Sequence, residues 1–386
     1  MIQHSVAALV ALFMTAAAAA PRVPEGDGTV LERLPSRPND PAMVELRQMR
    51  AALAKSPDDS RAAARLALRY FRLATAEGDP RYVGYAEAAL RSWREPDAPV
   101  QVMFARGVLR QYRHDFEGAL KDFERVVQLE PKHEEARSWR AALFMVQASY
   151  DAAGRECAEL ARGADELVAI GCGARLGGLT GKSREAYARL AAAVERNPQA
   201  ERATRLWALT HLAELASRLG DATGAERHYR EALDLGLTDN FLLASYADFL
   251  LEQGRPADVV RLLESWVRSD TLLLRLALAE RVLNLPAAKA HEQALADRFA
   301  AAALRGERLH MGEEARFLLQ LKGDPPAALA VAAENWESQR EPRDAAVFLE
   351  AAAAQRDSKA AAPVLRWLQE SGFESRRLQS LAASLR

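Results

Sequence analysis

The stretch "YRHDFEGALKDFERVVQLEP" (Tyr112 to Pro131) decides how the rest of the chain is read. It reads as an amphipathic helix that Pro131 brings to a stop. Extended upstream to Met103, it aligns with "RSWRAALFMVQASYDAAGRECAELARGAD" (Arg137 to Asp165). Gly107 pairs with Ala141, Leu109 with Leu143, Phe116 with Tyr150, Ala119 with Ala153 and Phe123 with Cys157, each 34 residues apart. Further on, Ala213 and Ala247, Gly220 and Gly254, Ala225 and Val259, and Tyr229 and Leu263 keep the same 34-residue offset. A fixed period of this length marks a stacked array of small supersecondary units.

Each copy has a physical logic. A first helix carries a small residue where two helices approach closely (Gly107, Ala141, Ala174, Ala213, Ala247). A turn follows, often Gly-Asp as at Gly78, Gly220 and Gly323: Gly takes the left-handed conformation and Asp caps the next helix. The second helix opens with another small residue (Ala119, Ala153, Ala186, Ala225, Ala328) and places a large one, such as Phe123, Leu190 or Tyr229, four positions on. Pro57, Pro96, Pro131, Pro198 and Pro342 close copies.

This pattern resembles the tetratricopeptide repeat family. It is clearest in Met103 to Pro131 and in "HLAELASRLGDATGAERHYREALDLGL" (His211 to Leu237), with the family's small, aromatic and small residues at Ala225, Tyr229 and Ala232. The expected fold is all-α, an α-solenoid of stacked antiparallel helix pairs. Five clear copies span residues 98–270, with atypical helical repeats at 41–97 and degenerate repeats plus a capping helix at 271–386. The rhythm predicts about nine pairs, preceded by a half-repeat and closed by a helix around Glu374 to Arg386. The 39-residue step from Ala186 to Ala225 implies an inserted turn, and Tyr82 to Tyr85 reads as a lengthened one.

Composition agrees with this class. Apolar residues make up 49% of the 386, much of that alanine, the best helix former. Val, Ile and Thr are sparse and never alternate as in a strand. A net charge of −1 argues against a nucleic-acid binder, which needs a basic excess to neutralise phosphates. Seven of the 52 basic residues are Lys; the Arg excess is read as codon bias rather than as a set of anion receptors.

The N-terminus reads as an export leader: an uncharged apolar run, Val6 to Ala20, too short for the roughly 20 residues of a membrane span. Cleavage after Ala18 or Ala19 avoids Pro21 as the first mature residue. Residues 1–20 are therefore expected to be a signal peptide and 21–40 a Pro/Gly-rich linker, with Asp40 capping a helix that starts at Pro41. A periplasmic or secreted location is expected, with no stable membrane insertion after cleavage.

The only two cysteines, Cys157 and Cys172, lie equally far before and after a turn at Gly163 to Asp165. Antiparallel helices place them at one height, so an oxidising compartment favours a disulfide; two buried small apolar residues are the alternative.

Enzyme motifs are weak. "GGLTGKS" (Gly177 to Ser183) is one residue short of a phosphate-binding loop and sits at an interhelical turn rather than after a strand. The seven His residues are scattered without metal-ligand spacing, and the carboxylates are expected on solvated helix faces. Trp139, Trp207, Trp266, Trp336 and Trp367 are read as core packing. No cofactor, metal or catalytic residue is assigned.

The resemblance implies a concave surface, lined by first helices, that binds a protein or peptide. Its expected groove residues are Tyr112, Trp139, Arg175, His211, Glu214, Arg218 and Asp248. The subclass that clamps a terminal carboxylate needs Lys and Asn where this chain has Ser138 and Ala142, or Thr210 and Glu214, so the resemblance does not extend to that ligand. The expected role is a non-enzymatic scaffold for assembly of an envelope complex. The alternative is an accessory subunit or envelope enzyme with a site built on the same scaffold; a third reading has the groove filled by the chain's own N-terminal linker.

Overall fold

The computed structural model describes residues 40–93, 98–307 and 310–385. The expected leader, the linker up to residue 39 and Pro96 lie outside the described residues. The chain divides into two units, Met1–Glu45 and Leu46–Arg386. Of the first, Asp40 and the opening of helix α1 (Pro41–Lys55) are described; Asp40 Oδ1 accepts the Ala42 N–H at 2.9 Å. The rest of α1 and all later helices belong to the second unit.

Twenty α-helices and no strand occur among the described residues. After α1 they alternate as first and second helices of nine pairs. These are α2 (Ser60–Glu77) with α3 (Arg81–Ala89), α4 (Val100–Tyr112) with α5 (Phe116–Leu129), and α6 (Glu134–Val146) with α7 (Tyr150–Leu160). Next come α8 (Glu166–Leu179) with α9 (Ser183–Arg196), α10 (Arg202–Arg218) with α11 (Ala222–Asp234), and α12 (Asn240–Glu252) with α13 (Pro256–Leu263). The last three are α14 (Asp270–Val282) with α15 (Ala287–Leu304), α16 (Met311–Phe317) with α17 (Pro325–Ser338), and α18 (Pro342–Gln355) with α19 (Ala362–Ser371). Helix α16 runs on into a π-helical turn, Leu318–Lys322, and α20 (Arg376–Ser384) closes the array. No helix among the described residues is long and apolar enough to cross a membrane.

Local chemistry accounts for the hairpins. Gly220 and Gly323 have φ of 83° and 65°, reversing the chain after a first helix. Asp221 and Asp324 then cap the second helix, accepting N–H bonds from Gly224 and Ala327 at 2.8 and 3.1 Å. In the second and third pairs His114 and Ala148 occupy the same left-handed position, with φ of 58° and 56°, a conformation that costs a residue with a Cβ. The small residues fall where pairs cross: Ala119, Ala153, Ala213, Ala225 and Ala247 are wholly buried.

Two expectations are corrected. Tyr82 and Tyr85 lie inside α3 rather than in a lengthened turn, because their rings gather on Tyr70 at 6.2 and 5.6 Å and carry the helix on. The carboxylates do not all lie on solvated faces. Asp122 is buried between Arg106 and Arg110, and Glu156 is buried against Arg137 and Arg140, both at 3.1 Å. Each bridges elements, so a helix-face pattern cannot show its burial.

The array winds back on itself within Leu46–Arg386. One buried cluster runs from Leu167 to Leu321 through consecutive pairs. Another joins Met145, Ala153 and Leu160 of the third pair to Trp336, Phe348 and Trp367 of the eighth and ninth. Hydrogen bonds fix that meeting: Arg340 N–H to Val146 O at 2.7 Å, and Trp367 Nε1–H to Tyr150 Oη at 2.8 Å. Cys157 and Cys172 are disulfide-bonded with Cα atoms 5.5 Å apart, tying α7 to α8 and so one pair to the next.

Candidate functional site: the inner cavity

First helices face inward, and the returning C-terminal pairs turn their concave side into a cavity of about 1460 Å³. Helices α2, α6, α8 and α10 supply most of the wall; Phe241 of α12, Glu341 and Arg343 complete it. Several helix N-termini open here, and the chain's own side chains neutralise them. His133 Nδ1 accepts from Ala136 N–H at 3.3 Å, Asp165 from Leu167 at 2.9 Å, and Asp239 from Leu242 at 2.7 Å. Glu341 caps α18 in a reciprocal box with Asp344. Carboxylates of the chain itself thus already meet the positive ends of α8, α12 and α18.

Of the seven expected groove residues, Trp139, Arg175 and His211 share this cavity. Trp139 stacks on Phe123, with ring centroids 6.3 Å apart, and meets Phe71 edge-on at 6.4 Å. Arg175 Nη2 bonds Glu341 at 3.4 Å, across 166 residues of sequence. His211 is 4% exposed, edge-on to Trp207 at 4.7 Å, with Phe241 at 5.9 Å.

The other four do not line the cavity. Glu214 stands behind His211, 2.9 Å from its Nδ1, and accepts from Ser245 Oγ at 3.3 Å. Arg218 donates to Gly178 O at 2.7 Å and lies over the Phe373 ring. Asp248 bridges Arg275 and Arg316, both at 2.6 Å, joining the sixth pair to the seventh and eighth. Tyr112 meets Phe71 edge-on at 6.1 Å. Trp139 and Trp207 belong to the cavity wall, whereas Trp336 and Trp367 are buried as core.

Burial would raise the Glu214 carboxyl, but the His211 hydrogen bond and the nearby Arg218 and Arg343 outweigh it and hold it at about 2. Burial pushes His211 below its ordinary value, against the pull of Glu214. The pair is thus an ionised carboxylate beside a neutral imidazole. His114, also on the cavity wall, is pushed down to about 4 by burial and by His310.

The tempting "GGLTGKS" loop is a turn. Gly181 has φ of 74° beside the Gly372 backbone, and the Ser183 N–H donates to Glu374 Oε2 at 2.9 Å, so a carboxylate of the chain occupies that helix start. Sequence reasoning missed Glu341 and Arg343, which reach the site only through the winding of the array. His114 left a faint signal, since it replaces Gly before a capping Asp.

No family model matches the chain, and none of the curated proteins does. Among solved structures, the APC/C hetero-tetramer Cut9–Hcn1 aligns over 85% of this chain and 63% of that one, at 14% identity and a TM-score of 0.51. This chain thus spans less than two thirds of that protein's length. A tetratricopeptide repeat protein from Parabacteroides merdae aligns over 74% of this chain and 98% of its own, at 12% identity and a TM-score of 0.33. The P58(IPK) TPR domain aligns over 89% and 92%, at 14% identity and a TM-score of 0.22. The helix pairs and the first of these likenesses define the fold as an all-α, tetratricopeptide-like helical repeat.

Proposed function

We propose that the chain is a non-enzymatic protein-interaction scaffold that takes a partner polypeptide into the inner cavity. We propose too that it works after export, in the periplasm, in assembly of an envelope complex. The observation that carries the binding reading is the cavity itself. At about 1460 Å³ it exceeds the roughly 300–1,000 Å³ of most small-molecule sites, and it combines Trp139, Trp207 and Phe241 with mixed charge. The fold supports it, and Cut9, a protein of the same fold, is described in assembly with Hcn1. The apolar run from Val6 to Ala20, read as a leader, and the Cys157–Cys172 bond support export, since disulfides persist in oxidising compartments.

The test is a photo-crosslinking residue at Ser138, on the cavity wall, in the chain expressed in its native host. One reproducible crosslinked polypeptide, lost when the same residue is placed at exposed Glu124 on α5, is the expected result. Absence of any partner together with a specific hydrolytic activity overturns the reading and selects the envelope enzyme. Fractionation of the host tests location separately.

A further inference from the structure

Helix α8 is the least self-supporting of the first helices. Gly171, Gly173, Gly177 and Gly178 make up four of its 14 residues, and no other first helix described holds more than one. Glycine in a helix interior costs backbone entropy, so each one weakens the helix relative to alanine. Two of them let α10 come close. A Cβ at Gly171 would lie 2.1 Å from the Trp207 ring, and one at Gly178 would lie 2.8 Å from Leu215 and 2.9 Å from Arg218. Gly173 has no such duty, since a Cβ there meets nothing within 4 Å.

The weakest turn is therefore the one from Gly171 to Gly173, where Cys172 is the only side chain. Its sulfur is bonded to Cys157 of α7. The same helix supplies Val168, Cys172 and Arg175 to the cavity wall, and Trp207, seated on Gly171, is a wall residue too. Arg175, three residues after Cys172, bonds Glu341, the cap of α18, at 3.4 Å. The chain's only disulfide thus falls on the turn that positions this part of the wall.

We propose that oxidation completes the cavity: the Cys157–Cys172 bond sets the middle turn of α8, so that the reduced chain holds its partner polypeptide more weakly than the oxidised one. This rests on the scaffold reading and adds a redox dependence to the same site. The electrons balance by thiol–disulfide exchange. A disulfide oxidant forms a mixed disulfide with one cysteine and releases one thiol, and the second cysteine displaces the other thiol as the S–S bond closes. Two cysteine thiols are oxidised, two oxidant sulfurs are reduced, and two protons pass to the leaving thiolates. Coupled to export, this keeps the chain from engaging its partner before it reaches an oxidising compartment.

The test compares the purified chain oxidised with glutathione disulfide and held reduced with dithiothreitol, by native-state hydrogen exchange. Amides from Ile170 to Arg175 are expected to exchange about tenfold faster or more in the reduced chain, while α12 and α14 change by less than about twofold. Gly173→Ala, through helix propensity alone, is expected to restore about four- to fivefold of that protection in the reduced chain. Equal exchange of α8 in the two states overturns the proposal without any variant having to fold. One common factor across α8, α12 and α14 overturns it too, because the bond then acts on global stability alone. Photo-crosslinking from Ser138 in the native host supplies the binding arm. With Cys157→Ser and Cys172→Ser, capture of the partner is expected to fall severalfold and to recover in part when Gly173→Ala is added. Undiminished capture sinks this inference and leaves the scaffold standing; loosening of α8 on reduction, with no polypeptide captured by the oxidised chain, does the reverse.

Discussion

Cys157 stands 34 residues after Phe123, at the same place in its helix pair, and its sulfur is bonded to Cys172 of the next pair. Where one copy holds its second helix with an aromatic ring, the following copy uses a covalent bond between neighbours. Closing a loop of sequence separation 15 stabilises by at most about 3 kcal/mol in the chain-entropy model. Reductant, or Cys157→Ser with Cys172→Ser, is expected to lower the thermal midpoint by several degrees. An unchanged melt, with two titratable thiols in denatured unreduced protein, would show that the bond does not form.

Close helix crossings predict a second sensitivity. A Cβ added at Gly107 would lie 2.7 Å from the Phe123 ring, which is itself wedged between Phe104 and Trp139. Helix propensity alone favours Gly107→Ala by about 1 kcal/mol, but overpacking costs about 1–3 kcal/mol and the ring has nowhere to move. Net destabilisation is expected, and likewise for Ala119→Leu and Ala225→Leu, whose methyls are fully buried. Urea denaturation decides it; a more stable Gly107→Ala protein means the Phe123 ring yields.

These two sites also mark how far sequence reaches. Small residues, Gly-Asp turns and the large residue four positions on are local demands of a helix pair, so they recur at one offset and are legible. The winding of the array is a sum of small rotations between pairs, and no single residue carries it. Arg175, Arg218 and Asp248 are therefore legible as residues of first helices, but their partners are not. The winding gives Arg175 to Glu341, Arg218 to Gly178 and Phe373, and Asp248 to Arg275 and Arg316. Glu341 and Arg343 cannot be tied to the cavity from sequence for the same reason.

Asp248 gives a third prediction. Burial would raise its carboxyl, but Arg275 and Arg316 outweigh that and hold it well below the carboxylate range. Arg275 is 2% exposed, so removing Asp248 leaves a buried guanidinium with only the more distant Glu313, at 3.8 Å, as counter-charge. Asp248→Asn is expected to cost about 3 kcal/mol, measured by chemical denaturation at neutral pH. Because the folded value is depressed, this stabilisation is present above the ordinary aspartate range and is lost as pH falls from about 4. The wild-type advantage over Asp248→Asn should therefore shrink in acid; a difference independent of pH would contradict the pairing.

His114 acts in a different window. Held neutral by burial and by His310, it takes its proton at about 4 in the fold against 6.5 ordinarily. Between those values the unfolded chain binds more protons, so stability falls as pH drops from 6.5 to about 4, by up to roughly 1.4 kcal/mol per unit. Asn tolerates the left-handed φ of 58° that His114 must adopt. His114→Asn is expected to match or exceed wild-type stability at pH 7 and to flatten the decline between pH 6.5 and 4. An unaltered pH profile would assign that decline to other groups.

The last prediction comes from the meeting of the third and ninth pairs. An open solenoid, in which each pair touches only its neighbours, unfolds in stages because stability is a sum of local terms. Here Trp367 donates to Tyr150 across 217 residues, Arg340 bonds Val146, and one apolar cluster contains both ends of that span. Middle and C-terminal pairs should therefore open together. Native-state hydrogen exchange is expected to give α6–α8 and α17–α19 similar opening free energies. Trp367→Ala, which removes a buried ring packed on Trp336 and Phe373 and should cost about 3–5 kcal/mol, is expected to lower both sets together. If the variant lowers protection only in α17–α19, the two regions are independent and the array behaves as an ordinary chain of neighbours.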